Sequence, residues 1–455
     1  MDNNLRSTLS TLHSHHLIDM IDLMVQHSSH ADPSEMLGII HKKLTDLSTG
    51  KSWLFGVPSD ILIHVLTEWL TLKDFAALDT AITNKSMRRR YWHFLTENLV
   101  CITSVKKYLK SSNAVDILRW LSNRHLKIDS IDASVLLKSG HLRSCTDLSY
   151  HYDPFMSKCI KKVDFSQCAF MHDDMITEIM QRCCQLDTII LSGCLNLTHR
   201  SLVSILVTPS RSKLKVLDVS NCVRILDGLT KGELDSTAAA TTTIHSNSLV
   251  SLHLHRLSAL EDRTLQAIIL SCVHGCADKA RGFMRLDIGY CTSLSRSTVL
   301  SILCCYSDLV ELNVSGLLAV DDSAAIGAAR TMAKLVRLSV ADCLNVGDDG
   351  MLGFIQNCPC LEYLDMSNNS SLTDNVLINI PLKCQHLHSL VINACTNFSV
   401  PGVMTIIKSC AVLSILEING YDATFDQHVR QAILYGKHWL GSWQDRRLHI
   451  QQSTV

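Results

Sequence analysis

Residues 309–314 read LVELNV, and the same spacing returns as LVRLSV at 335–340, LEYLDM at 361–366, LHSLVI at 387–392 and LSILEI at 413–418. Each segment begins 26 residues after the one before. Apolar residues at the first, fourth and sixth places describe a short strand that turns alternate side chains inward. Working back toward the N-terminus, FMRLDI starts at Phe283, LVSLHL at Leu249, LKVLDV at Leu214, LDTIIL at Leu186 and IKKVDF at Ile160. The intervals between these starts are 34, 35, 28 and 26 residues, so ten units are visible, two of them lengthened by insertions. A period of this length marks a stacked-repeat architecture, in which no single unit can bury its apolar face alone.

Cysteine follows the same period. Three residues after the last apolar place of each segment stand Cys168, Cys194, Cys222, Leu257, Cys291, Leu317, Cys343, Asn369, Cys395 and Tyr421. A second set, Cys183, Cys358, Cys384 and Cys410, precedes the next segment by three residues, where a small apolar side chain closes the back of the unit. Seventeen of the nineteen cysteines lie between Cys159 and Cys410. An odd number at periodic positions in a long chain reads as reduced, buried thiols rather than a disulfide framework. Between the strands, LTDNVLINI (372–380) and VGDDGMLGFI (346–355) place Thr or Asp ahead of a helical apolar pattern. Such residues are expected to cap a short helix by accepting its free N–H groups. One strand and one helix per unit follow, an α/β arrangement.

This pattern closely resembles the cysteine-containing leucine-rich repeats of F-box/leucine-rich-repeat proteins, over about residues 160–420. The resemblance implies a leucine-rich-repeat solenoid, a horseshoe of about ten 26-residue repeats, whose parallel strands line a concave face where partner proteins bind. Ahead of the repeats, VPSDILIHVLTEWLTLKDFAALDTAI (57–82) sets Ile61, Leu62, Val65, Leu66, Trp69 and Leu70 on one helical face. A break at Thr71–Asp74 precedes Phe75 and Leu78, and Pro58 suits a first helical turn. A third helix is predicted from about Lys85, with Met87, Tyr91, Phe94 and Leu95 as its apolar side. With its P-x-x-I-L-x-x-V-L core, the segment resembles an F-box, the helical module that binds the Skp-type adaptor of cullin-based ubiquitin ligases. On that resemblance Pro58, Ile61, Leu62, Leu66, Leu70, Phe75 and Leu78 face the adaptor. Val57 stands where the family usually has leucine, and TNKSMRRRYW (83–92) replaces the usual ending. A second reading treats the same helices as a cap on the first repeat, whose core would otherwise be exposed.

The expected organisation is a helical extension at 1–52, F-box-like helices at 54–100, a helical junction at 101–158, the repeats at 159–425 and a C-terminal cap and tail at 426–455. In the extension, Leu17, Met20, Ile21, Met24 and Val25 follow helical spacing, as do Leu37, Ile40, Leu44 and Leu47. The junction carries an irregular first strand at Ile128–Ile131, and Trp439, Leu440 and Trp443 are placed to cover the last repeat. The insertion at 227–247 is small and polar and reads as a surface loop.

With 47% hydrophobic and 19% charged residues, the chain has ample material for a core. A net charge of −1 gives no global field to draw in nucleic acid or an anionic membrane. The N-terminus lacks a secretory pattern and no apolar run reaches bilayer length, so the expected compartment is the cytoplasm, with the nucleus second. There is no glycine-rich phosphate loop, nucleophile elbow or H-E-x-x-H sequence, so no catalytic, cofactor or metal residues are expected.

Four clusters carry potential chemistry and each has a plainer reading. His13, His15, His16, His27 and His30 scatter over several helical faces and read as a solvated surface. Cys272, His274 and Cys276 offer three zinc-type donors without a fourth. Arg88, Arg89 and Arg90 read as a solvated helix face, and the terminal QSTV resembles a ligand of PDZ domains only at the level of many tails.

The residues expected to act are on the strands. Between the last two apolar places stand Asp164, Ile190, Asp218, His253, Asp287, Asn313, Ser339, Asp365, Val391 and Glu417, pointing away from the core. With their flanks these define an expected partner face of Asp164, Asp218, His253, Arg285, Asp287, Asn313, Arg337, Tyr363, Asp365 and Glu417. Its acid-leaning character favours a partner rich in basic or donor groups; alternatively, Asp at this place merely keeps the sheet soluble. The function expected is that of a protein–protein interaction module. In the leading form it is the substrate-recognition subunit of a cullin-type ligase, with a target protein on the repeats and a Skp-type adaptor and cullin as partners. The alternative is a repeat scaffold with no ligase link.

Overall fold

The computed structural model describes residues 160–208, 213–230, 249–273 and 283–422 continuously. It also describes 85, 89, 93, 101–102, 127–128, 130–132, 232–233, 424–425, 427–429, 431 and 447–449. The chain divides into two units, Met1–Asp164 with Arg182–Gln185, and Phe165–Gln181 with Leu186–Val455.

In the first unit, β1 (Cys101–Ile102) pairs in parallel with β2 (Lys127–Ile128), and β3 (Ser130–Asp132) with β4 (Lys162–Asp164). The irregular strand expected at Ile128–Ile131 is thus two short strands that serve different pairs. Ile131 and Val163, opposite each other in register, are both buried. The F-box-like residues Pro58, Ile61, Leu62, Leu66, Leu70, Phe75 and Leu78 lie outside the described residues, as do the N-terminal histidines, His274, Cys276, the C-terminal tryptophans and the QSTV tail. Lys85, Arg89 and His93 are helical and exposed.

The second unit is a leucine-rich-repeat solenoid. Its strands β5 (Thr188–Ile190), β6 (Val216–Asp218), β7 (Ser251–His253), β8 (Arg285–Asp287), β9 (Glu311–Asn313), β10 (Arg337–Ser339), β11 (Tyr363–Asp365), β12 (Ser389–Val391) and β13 (Ile415–Glu417) pair in parallel, each with its sequence neighbours. Between them run α1 (Asp173–Arg182), α2 (His199–Val207), α3 (Asp262–Val273), α4 (Arg296–Cys305), α5 (Asp322–Ala329), α6 (Asp348–Asn357), α7 (Asp374–Lys383) and α8 (Val400–Ser409). A further strand, β14 (Arg447–His449), comes from the tail and pairs with β13 where another repeat would stand.

Each of β5 to β13 is three residues long with its middle residue buried, the leucine or isoleucine at the fourth place of the repeat. That residue, the apolar places on either side of it and the inner face of the helix form one continuous core. α5 and α6 approach closely because their facing side chains are small. Ala324, Ala325, Ala328 and Ala329 are fully buried, and a Cβ on Gly353 would come within 3.0 Å of Ile326.

Three hydrogen-bond ladders tie one repeat to the next. In the first, the residue two places after the strand motif donates its backbone N–H to the following repeat: Gln167 to Ser192 O, Tyr290 to Ser315 O, Gly316 to Ala341 O, Ala394 to Asn419 O. These residues hold positive φ, including Tyr290 at 58° and Asp342 at 56°, an uncommon conformation that the ladder stabilises. In the second, the cysteine column donates to the last strand-motif carbonyl of the preceding repeat, with Cys194 Sγ to Phe165 O 3.1 Å, Cys222 to Leu191 O 3.0 Å, Cys291 to Leu254 O 3.1 Å and Cys395 to Met366 O 3.1 Å. Asn369 Nδ2 and Tyr421 Oη substitute at their own places, reaching Val340 O and Ile392 O. A weak donor suffices here because the carbonyl already accepts the backbone N–H three residues on, as Phe165 O does from Cys168 N and Leu191 O from Cys194 N, and the thiol meets only its second lone pair.

The third ladder refines the expected capping by Thr or Asp. Asp374, the first residue of α7, does not cap its own helix; Thr373 does, accepting from Asn375 N. The Asp374 carboxylate instead receives the backbone N–H and hydroxyl of Ser399, the residue that caps α8. Asp173 does the same for Thr198 and Ser201, Asp262 for Ser295, Asp322 for Gly347 and Gly350, and Asp348 for Thr373. Gly347 therefore opens α6 without a side chain of its own. In α2 and α4, whose first residue is not Asp, a long side chain bridges the repeats: His199 reaches Asp227 O and Glu233, and Arg296 reaches Asp321 at 2.8 Å.

Candidate functional site

The buried thiols among the described residues offer no reactive centre. Of the fourteen cysteines whose side chains are described all are free, and ten are buried as expected. Burial pushes Cys343, Cys358 and Cys384 up to about 12, so they stay protonated and unreactive. Cys184, Cys304, Cys305 and Cys360 depart from the expectation and are exposed. Among the described residues no group of three or more His, Cys, Asp and Glu side chains is arranged to hold a metal ion, and no helix is long and apolar enough to cross a membrane.

On the outer face of the sheet, β7 to β11 enclose a shallow basin of about 350 Å³. It draws together seven of the ten residues expected on the partner face: His253, Arg285, Asp287, Asn313, Arg337, Tyr363 and Asp365. Asp218 on β6 and Glu417 on β13 are half-buried on strands outside it, and Asp164 stands on β4 in the first unit. Glu311 and Ser339 also line it. Glu311 occupies the same repeat place as Arg285 and Arg337, a register that could have named it from the sequence. In the column between the apolar places, Val391 is the exception, buried at 7% exposure.

The acidic residues of this column have a local role. Asp218 Oδ1 accepts from Ser220 N, Asp287 from Gly289 N, Asn313 from Ser315 N and Asp365 from Ser367 N, at 2.9–3.1 Å. A short acceptor at this place bonds the N–H two residues on, which turns the chain out of the strand. Preference for Asp or Asn there follows from the turn as well as from any partner.

A polar network spreads over the face. Ser315 Oγ lies 2.8 Å from Ser339 Oγ, which donates to Asp365 at 3.3 Å, and Asp365 also accepts from Ser367 Oγ at 2.7 Å. Ser367 Oγ accepts from Asn393 N, whose Oδ1 accepts from Asn419 N. His255 Nδ1 stands 3.3 Å from Asp287 and its ring meets the edge of Tyr290 at 5.2 Å. Tyr290 itself lies under the Arg256 guanidinium at 5.3 Å and donates to Asp342.

The basin's imidazole and its two guanidinium groups are used unequally. His253 Nε2 is 2.7 Å from Ser251 Oγ, and Arg285 Nε pairs with Glu311 at 3.1 Å. The Arg337 guanidinium carbon lies over the Tyr363 ring, 4.1 Å from its centroid, and Arg337 makes no ion pair among the described residues. Burial, reinforced by the negative charge of Asp365, holds the Tyr363 phenol above its ordinary value, so it is a neutral donor. Carboxylates, donors and a stacked guanidinium in a shallow open basin suit recognition of a peptide surface.

No known protein-family profile matches the chain, and no curated protein does. Solved structures do. The yeast Rad7–Elc1 complex is similar over 80% of this chain and 90% of its own, at 14% identity and a TM-score of 0.47. An internalin (inlF) from Listeria monocytogenes is similar over 66% of this chain and 82% of its own, at 12% identity and a TM-score of 0.33. The leucine-rich-repeat-containing protein LegL7 from Legionella pneumophila is similar over 61% of this chain and 91% of its own, at 13% identity and a TM-score of 0.33.

Proposed function

We propose that this chain is a recognition protein whose repeat sheet holds a target protein while residues 54–100 recruit a Skp-type adaptor and, through it, a cullin-based ubiquitin ligase. The observation that carries the first half is the basin between β7 and β11, where seven expected partner-face side chains converge on the outer face of the sheet. Solenoids bind proteins on such surfaces because successive strands present side chains in parallel rows over a long rigid span. The second half rests on the F-box resemblance of Pro58, Ile61, Leu62, Leu66, Leu70, Phe75 and Leu78. In this reading the chain performs no chemistry of its own, needs no cofactor, and works in the cytoplasm or nucleus.

Two separable experiments test it. Purified Skp-type adaptor should bind the full chain and lose binding in Leu62→Asp and Leu66→Asp variants; no binding, or binding indifferent to both, removes the ligase half and leaves a repeat scaffold with a helical cap. Asn313→Arg in the middle of the basin should abolish capture of protein targets while a cooperative melting transition is kept, lowered only by loss of the turn bond from Ser315 N. Capture that survives it would place recognition elsewhere.

A further inference from the structure

The basin's side chains specify more than a general protein surface. One of its two guanidinium groups is engaged by the protein itself, Arg285 by Glu311, and the His253 ring is held by Ser251. Arg337 is exposed, and among the described residues it has no carboxylate partner. Its guanidinium is spent only on the Tyr363 ring. Stacking uses the flat face of a guanidinium and leaves the N–H groups along its edge directed outward, in the fork that matches a carboxylate. The ring beneath also limits the side chain's rotamers, which lowers the entropy lost when a ligand is held. Tyr363 Oη, with no hydrogen-bond partner among the described residues, adds a neutral donor on the neighbouring strand.

The surroundings decide which anion fits. Glu311 on one adjacent strand and Asp365 two residues beyond Tyr363 keep the local field from being strongly positive. A monoanionic, planar group meets a matched fork there. A dianionic phosphate would meet the same fork with twice the repulsion from these carboxylates.

We propose that Arg337 and Tyr363 form the anchor for an aspartate or glutamate side chain of the target protein, an inference that rests on the sheet face being the target-binding surface. The target segment lies across β9 to β11 with its carboxylate on the Arg337 edge. Its flanking residues face the carboxylates and hydroxyls of Asp287, Ser339 and Asp365, which favour donor-bearing neighbours.

The test is a display selection of random peptides on the full-length protein, followed by affinity measurement on individual synthetic peptides. Selected peptides should share an acidic residue, and changing it to its amide should weaken binding about tenfold or more. Arg337→Met should remove that acid dependence, Arg337→Lys should restore only part of it because an ammonium cannot fork, and Tyr363→Phe should weaken it by a smaller factor. Both positions are exposed or half-buried, and unchanged melting temperatures will show that the three variants fold. Peptides without an acid preference, or acidic peptides bound equally by Arg337→Met, would overturn the anchor. A phosphoserine peptide binding more tightly than its glutamate counterpart would overturn the choice of carboxylate. If selected peptides lack an acid yet are lost in Asn313→Arg, the sheet face stands and only the anchor fails; if they are indifferent to Asn313→Arg as well, the sheet face fails with it.

Discussion

Tyr290 Oη donates a hydrogen bond to the carboxylate of Asp342, two repeats further along, and the tyrosine ring passes over Gly316 to reach it. The three residues share one place in successive repeats, and all hold positive φ. A Cβ on Gly316 would stand 2.4 Å from Tyr290 Cδ1, so the contact needs glycine for space as well as for its φ of 70°. His255 and Arg256 complete a cluster on the ring. Three repeats are thereby joined by one side chain beside the basin.

Gly316→Ala should lower stability by about 2–4 kcal/mol in urea unfolding, combining an unfavourable backbone conformation with loss of a hydrogen bond to a charged group. Tyr290→Phe should cost about 1–2 kcal/mol. In a Tyr290→Ala background the cost of Gly316→Ala should shrink, because the ring no longer occupies the space; full additivity would show that the two do not touch.

Burial, then the hydrogen bond and charge of Asp342, push the Tyr290 phenol up to about 12. A folded value above the unfolded one of about 10 means that the native state holds the proton more tightly. The contribution is fully present below about pH 10 and lost as pH rises through about 12. Absorbance titration of the native protein should show a late tyrosinate that disappears in Tyr290→Phe.

The carboxylate ladder predicts an acid limb. Although burial raises it, hydrogen bonds from Ser201 and Thr198 bring Asp173 below the ordinary carboxylate value, and Asp262 is lowered likewise by Ser295. A depressed folded pKa gives stability that is present above the unfolded value of about 4 and lost as pH falls through the folded one. Asp173→Asn should therefore cost about 1 kcal/mol at neutral pH and flatten the decline of stability below pH 4. Gly402→Ala should act on the same ladder, because a Cβ there would meet Asp374 Oδ1 at 2.2 Å and displace it from Ser399.

Asn369 holds the cysteine place in its repeat, fully buried, with its Nδ2 on Val340 O and its Oδ1 without a partner. Cys343 and Cys395, on either side, make the equivalent bond with a thiol and carry no second polar atom. Asn369→Cys should keep the bond, remove the unpaired acceptor and raise stability by about 1 kcal/mol in thermal unfolding. A destabilised variant would mean that packing of the amide outweighs its desolvation.

Thiol labelling of the native protein at mild alkaline pH should modify Cys184, Cys304, Cys305 and Cys360 and spare Cys343, Cys358 and Cys384 until the chain unfolds. Peptide mass spectrometry reads both sets. Early modification of Cys343 would contradict a closed core at that repeat.

The repeat period by itself determined the class of fold, the place of every strand from 162 to 417 and the row of side chains that leaves the core. Those features follow from alternation along a strand and from the need of each unit to be covered by its neighbour, and both are local in sequence. The cysteine places were legible for the same reason. Only the tertiary structure decided which residues meet across repeats: that Asp374 holds the Ser399 cap of the next helix, that Tyr290 reaches Asp342, and that Glu311 occupies Arg285 while Arg337 is left to Tyr363. Such pairings depend on the stagger and rotation between stacked units, distances of about 25–50 residues along the chain that no single repeat encodes. The face could be read from one strand; its occupancy needed all of them in place.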